Sequence, residues 1–216
     1  MAEVTWDTRL ARIIASPLRR TPVQPNHVTT VGLAVGLGAA ACYATGSARA
    51  ANWGAGLYVA SVVLDHVDGE LARLSGRCSA IGQAYDRAAD LLVRLALFAG
   101  MGVGLRHGRL GDLAVGLGLV AGIAFVTIFV LRGAMAKRRG WDALAQPRFA
   151  GFELEDILYV IAPVTWLGWL APFVVGAGVG APLFSLWVAR NYRRTRALPV
   201  CAPLVAAAPG AGLVSE

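Results

Sequence analysis

The residues with the most evident chemistry lie between positions 65 and 90, in the run DHVDGELARLSGRCSAIGQAYDRAAD. Four carboxylates stand there at regular intervals: Asp65, Asp68, Asp86 and Asp90. Asp65, then Asp68 or Gly69, then Ala72 recur at helical spacing and share one helix face. Gly82, Asp86 and Asp90 recur every fourth residue and share a face of a second helix. The short connection 74–81 lets the two helices run antiparallel and turn these faces toward each other. Carboxylates gathered this way repel one another, and one or two divalent cations resolve the conflict. Hard oxygen donors suit Mg2+ or Mn2+, which usually also keep waters and substrate phosphates as ligands. Gly69, Ala72 and Gly82 strip side-chain bulk from around the acids, and Arg73 supplies a fixed cation suited to phosphate oxygens. A pyrophosphate with its metal ions accounts for all of these residues together. A hydrogen-bond network that merely packs two helices explains the acids but neither the glycines nor Arg73. His66 falls inside the run, off the acidic pattern, and is read as a bystander.

The elements that must carry these groups are apolar. The chain has 216 residues, 56% of them hydrophobic and 15% charged, with 26 glycines, which favours one polytopic membrane domain over a soluble fold. A spanning helix needs roughly 20 apolar residues, and several stretches qualify. The reading is an all-α membrane protein with six transmembrane helices, at about 28–43, 53–73, 82–105, 113–131, 157–170 and 172–189. The second span carries Asp65, Asp68 and Glu70 in its later half, and the third carries Asp86 and Asp90 in its first turns. Carboxylates at the bilayer centre cost on the order of 3 kcal/mol each, so a chain that keeps them keeps them for function by default. An amphipathic helix over residues 1–20 precedes the spans: Trp6, Leu10, Ile13, Ile14, Pro17 and Leu18 fall near one face, as expected of a helix lying on the membrane. No cleavable signal is evident there. Residues 197–216 are small and Pro-containing and are expected to be a disordered tail, leaving 1–196 as the membrane domain.

Charge sets the orientation. The net charge is +7 and comes almost entirely from Arg, with Lys137 the single lysine. These cations collect at loop ends, which points to anionic headgroups rather than nucleic acid. A basic loop, with Arg132, Lys137, Arg138, Arg139 and Arg148, is expected after the fourth span, and Arg190, Arg193, Arg194 and Arg196 after the sixth. Arg49, Arg106 and Arg109 stand on the opposite face. The positive-inside rule therefore places both termini, and the site, at the cytoplasmic side of the inner membrane. Gly32/Gly36, Gly100/Gly104, Gly118/Gly122 and Gly176/Gly180 allow close helix approach, within the bundle or at a dimer interface. Cys42, Cys78 and Cys201 have no metal or disulfide spacing and are taken as reduced.

The pattern Asp65-x-x-Asp68-Gly69-x-x-Ala72-Arg73, eight residues, Gly82-x-x-x-Asp86-x-x-x-Asp90 resembles the signature of the CDP-alcohol phosphotransferases, without a departure at any fixed position. The architecture is also similar, including Pro25-Asn26-His27-Val28-Thr29 before the first span. The resemblance implies metal-dependent transfer of a substituted phosphate group, a phosphatidyl group for preference, from a CDP-linked donor to an alcohol with release of CMP, in phospholipid biosynthesis. It implies that Asp65, Asp68 and Asp86 hold one ion and that Asp86 and Asp90 contribute to a second. Asp90 would take the proton of the acceptor hydroxyl. Gly69, Ala72, Ser79 and Gly82 would line the nucleotide, Arg73 would meet the pyrophosphate, and the segment from Asn26 to Thr29 would close the donor site. CDP-diacylglycerol is the expected donor, and a homodimer the expected assembly.

Acceptor signals are weaker. Glu153, Glu155 and Asp156 open the fifth span, where inositol-phosphate-using relatives carry a Glu-Arg pair, and Asp156 stands in place of that Arg. An acidic pocket would suit an amino alcohol or a hydroxyl-rich acceptor; pairing of these acids with Arg148, Arg132 or the tail arginines is the alternative. Two other classes also place acids in membranes. Aromatic prenyltransferases hold Mg2+ on separated Asp-x-x-Asp motifs, whereas here both acid pairs fall within one short run. Ion or proton carriers are expected to place acids near mid-membrane on broken helices.

Overall fold

The computed structural model describes residues 6–139 and 157–197. All regular structure in them is helical: α1 (Trp6–Leu18), α2 (Pro25–Ala44), α3 (Ala48–Ser75), α4 (Ala80–Leu105), α5 (Leu113–Arg139), α6 (Ile157–Trp166) and α7 (Leu170–Ala197). Four of these, α2, α4, α5 and α7, are long and apolar enough to cross a membrane. α3 runs for 28 residues but carries Arg49, Asp65, Asp68, Glu70 and Arg73. α6 spans ten residues. The expected acceptor residues Glu153, Glu155 and Asp156, and the tail beyond Ala197, lie outside the described residues.

Local chemistry sets the helix limits that matter for the site. Pro25 opens α2 at a position where its missing N–H is no loss. The Gln24 N–H there donates to His27 Nδ1 at 3.3 Å. α3 ends on Gly76, whose φ of 67° is left-handed and suits a residue without Cβ. Ser79 then caps α4, its hydroxyl accepting from the Gly82 N–H at 3.0 Å. The acid-bearing helices are thus joined by only the tight turn 76–79. Further on, α5 continues to Arg139, where a basic loop was expected from Arg132. The stretch GAMAKRR has no proline and several strong helix formers, so the helix does not stop at the first charge. α7 likewise runs through Arg190, Arg193 and Arg194.

α2 packs against both α3 and α4, α4 against α5, α5 against α7, and α1 against α3. The core holds Tyr43, Tyr58, Leu97, Phe98, Met101, Ile161 and Val174. Phe98 stacks on Phe125 at 4.8 Å and Phe173 at 6.3 Å between ring centres, which ties α4 to α5 and α7. The Tyr43 hydroxyl meets Thr165 Oγ1 at 2.8 Å and anchors α6 to α2. Large apolar side chains, among them Val31, Leu92, Ile123, Val179, Leu183 and Leu186, face outward. Such a surface suits lipid and not water.

Three of the four glycine pairs serve packing inside the chain. A Cβ on Gly36 would meet Val93 and Ser61; one on Gly100 would strike the Ala40 carbonyl, and one on Gly118 the Phe98 carbonyl. Gly176 and Gly180 have no neighbour that close. They line an apolar groove of about 360 Å³ between α5 and α7, with Phe125, Ile128, Phe173 and Phe184.

Gly100→Ala should lower stability by about 1–3 kcal/mol, since α2 must move to admit the methyl group. Gly38→Ala, also in a helix but with nothing within 4 Å, should be neutral or mildly stabilising. Thermal unfolding of both variants in detergent checks the contrast.

Candidate active site

The sequence pattern requires the faces of two helices to converge, and they do. One carboxylate oxygen from each of Asp65, Asp68 and Asp86 lies within 4.8 Å of the others, a group able to hold a metal ion. Asp68 is almost fully buried. Its Oδ2 accepts a 2.6 Å hydrogen bond from Thr29 Oγ1 on α2. A third helix therefore fixes the acid that α3 supplies.

Asp86 Oδ1 tests the fit of a cation. This oxygen is shut off from solvent and accepts no hydrogen bond. A buried carboxylate oxygen without a donor is costly and calls for an explanation. A hard divalent ion held by these carboxylates would supply the missing partner, and the all-oxygen donor set is what such an ion prefers. The residues present fit the group.

The residues expected around a nucleotide gather beside this cluster. A Cβ on Gly82 would stand 3.0 Å from Ser79 Oγ and 3.1 Å from Asn26 Oδ1, so these three positions adjoin. A Cβ on Gly69 would lie 3.7 Å and 3.8 Å from Nη1 and Nη2 of Arg73, so the guanidinium folds over that glycine. Two of the expected residues also serve the local structure, since Ser79 caps α4 and Thr29 orients Asp68. Thr30 Oγ1 and the Tyr85 hydroxyl, 3.0 Å apart, tie α2 to α4 at the same level.

Asp90 lies outside the three-carboxylate group. Arg94, one turn further along α4, grips it in a fork, with Nε on Oδ1 at 2.8 Å and Nη2 on Oδ2 at 2.8 Å. The Arg94 guanidinium in turn stacks over the Phe129 ring of α5, 4.7 Å from its centre. Both partners are mostly buried, at 15% and 18% side-chain exposure, which strengthens the pair. A carboxylate offers about four lone-pair sites, so a two-point fork still leaves acceptor capacity on each oxygen.

Sequence reasoning missed three contributors. Arg94 was signalled by its i+4 spacing from Asp90 and by being a cation inside an apolar helix. Glu70 was counted among the acids of its helix, but not as the buried partner of Arg12 and Arg73. Arg12 stands 58 residues away from Glu70, and nothing local in the sequence announces the contact.

The cluster thus stands in a helical bundle that includes four helices long and apolar enough to cross a membrane. The chain belongs to the CDP-alcohol phosphatidyltransferase family, whose sequence profile it matches over residues 23–187. That interval contains every described member of the cluster together with Asn26, Thr29, Arg73 and Arg94. No curated protein matches the chain significantly. The family transfers substituted phosphate groups within membranes, and its members generally depend on divalent metal.

Arg94→Ala should cost about 2 kcal/mol, because it withdraws the fork from an acid in an apolar setting. The double variant Arg94→Ala/Asp90→Asn should recover part of that loss. Melting temperatures of the parent, both single variants and the double variant close the cycle: a double loss equal to the sum of the single losses would mean that the pair is not coupled.

Proposed function

We propose that the protein transfers a phosphatidyl group from CDP-diacylglycerol to an alcohol acceptor, releasing CMP, as a step of phospholipid synthesis. The observation that carries the reading is the meeting of Asp65, Asp68 and Asp86 around the undonated oxygen of Asp86, beside Gly69, Arg73 and Gly82. Family membership favours this chemistry over prenyl transfer or ion transport.

In this reading Asp65, Asp68 and Asp86 hold one Mg2+ or Mn2+, and Asp86 with Asp90 contributes to a second. Charge neutralisation on the pyrophosphate is what bound divalent ions supply here. Ser79, Asn26, Gly82, Gly69 and Ala72 shape the nucleotide cleft, with Thr29 keeping Asp68 in place from α2. Arg73 presents its guanidinium to the pyrophosphate oxygens. Asp90 takes the proton of the acceptor hydroxyl, whose oxygen attacks the phosphorus of the group to be transferred. The bond from that phosphorus to CMP breaks, and CMP leaves with the electron pair. Arg94 fixes the plane of the Asp90 carboxylate during the transfer, and proximity supplies much of the remaining rate. Glu153, Glu155 and Asp156 are assigned to the acceptor, and their acidic side chains would suit an amino or polyhydroxyl alcohol.

In this reading the six spans follow α2, α3, α4, α5, the apolar segment of which α6 is the described part, and α7, and the protein works as a homodimer in the inner membrane. Both termini and the site face the cytoplasm, where Arg9, Arg12, Arg19, Arg20, Arg73, Arg77 and the distal ends of α5 and α7 concentrate positive charge. α1 lies along that surface. Ala11 and Ala15 are buried against the bundle, while Leu10, Ile13 and Ile14 face outward, as an interfacial helix requires.

Purified protein given CDP-diacylglycerol, Mg2+ or Mn2+ and a panel of polar alcohols should release CMP with one of them. A chelator should abolish release and added Mg2+ restore it. Asp86→Asn should lose at least ~100-fold in rate. Asp90→Asn should keep donor binding but lose on the order of 100-fold or more in turnover. Silence with this donor, and again with soluble CDP-alcohols and lipid acceptors, would overturn the assignment.

A further inference from the structure

Glu70 is a buried acid of α3 that belongs to no step above. Its side chain is 3% exposed, yet it is flanked on both sides by arginines. Arg12 Nε, from α1, donates to Oε1 at 2.7 Å. Arg73, from α3 itself, donates through Nε to Oε2 at 2.9 Å and brings Nη2 to the same oxygen at 2.8 Å. Each carboxylate oxygen is therefore assigned to one guanidinium. Arg12 and Arg73 remain 59% and 64% exposed, so their outer N–H groups face outward while their inner ones are held.

The arrangement has a mechanical reading. An arginine side chain loses substantial rotamer freedom when it is fixed. Arg73 has an exposed side chain, and without a fixed partner it would sweep widely. The Glu70 contact folds it back over Gly69, next to Asp68. Glu70 is itself set from outside α3. Ala11 and Ala15 of α1 sit against Val28, Val67 and Leu71, which seats Arg12 at the carboxylate.

We propose that Glu70 is a positioning residue for Arg73, and that α1, through Arg12, is a working part of the pyrophosphate subsite rather than a membrane anchor alone. The inference rests on the assignment of Arg73 to the pyrophosphate. Arg12 and Glu70 touch no reacting atom; they set where the Arg73 guanidinium waits.

The test is equilibrium binding of CDP and of CMP, each with Mg2+, to the full chain in detergent micelles. CDP carries the second phosphate and CMP does not. Arg73→Ala should weaken CDP binding roughly tenfold or more, the scale of a charge-assisted contact. Arg12→Ala, at an exposed side chain that should not endanger folding, should weaken CDP binding about three- to tenfold, with Arg12→Lys recovering part of the loss. The double variant should bind CDP no worse than Arg73→Ala, because both act through one guanidinium, and CMP binding should change less than about twofold throughout. Glu70→Gln should match Arg12→Ala in direction. If Arg73→Ala weakens CDP binding but Arg12→Ala and Glu70→Gln do not, the positioning role is wrong and the donor site stands. Additive losses for Arg12→Ala and Arg73→Ala would also overturn positioning, making Arg12 an independent contact. If Arg73→Ala leaves CDP binding unchanged, the assignment of Arg73 to the pyrophosphate falls, and the positioning role falls with it.

Discussion

Negative charge in an apolar bundle is the constraint on which the rest of this structure depends. Three carboxylates share a space a few ångströms across, among helices whose outer faces suit lipid. Each must be balanced or held by something. Asp68 leans on a hydroxyl from α2, Asp90 on a guanidinium one turn along its own helix, and Glu70 on two guanidiniums. Asp86 keeps an oxygen without a donor. Compensation is thus complete around the rim and incomplete at the centre, and the centre is where a cation fits.

Keeping helices close enough for such short contacts is the work of residues with little or no side chain. Gly36, Gly100 and Gly118 let backbones approach where a methyl group would strike a neighbour. The aromatic stack of Phe98, Phe125 and Phe173 then joins α4 to α5 and α7. Phe129, one turn from Phe125 on α5, extends that apolar wall to Arg94 and so to the proposed base. Packing and chemistry share the same helices, and a change in helix separation would be felt at the acids.

Much of this was legible in the residues themselves. Helical spacing put Asp65, Asp68 and Gly69 on one face and Gly82, Asp86 and Asp90 on another, and the meeting of Asp65, Asp68 and Asp86 follows from that spacing and a short turn. Helix positions were legible because apolar runs are a local signal; the far end of α5 was not, because basic residues were read as a stop although Ala, Met and Arg propagate a helix readily. The fork on Asp90 could have been read from i+4 spacing but was obscured by assigning that acid to a metal. The link from Arg12 to Glu70 depends on how α1 lies across α3, a tertiary fact that no window of sequence contains.

The turn at 76–79 has a consequence for how the molecule is made. The side chains named above as holding an acid, Arg12, Thr29, Arg73 and Arg94, lie on α1 to α4, and the acids themselves sit on one helical hairpin. Loop closure over so few residues carries a small entropic penalty. All three clustered carboxylates are therefore in place in the chain before α5, α6 and α7 have been synthesised.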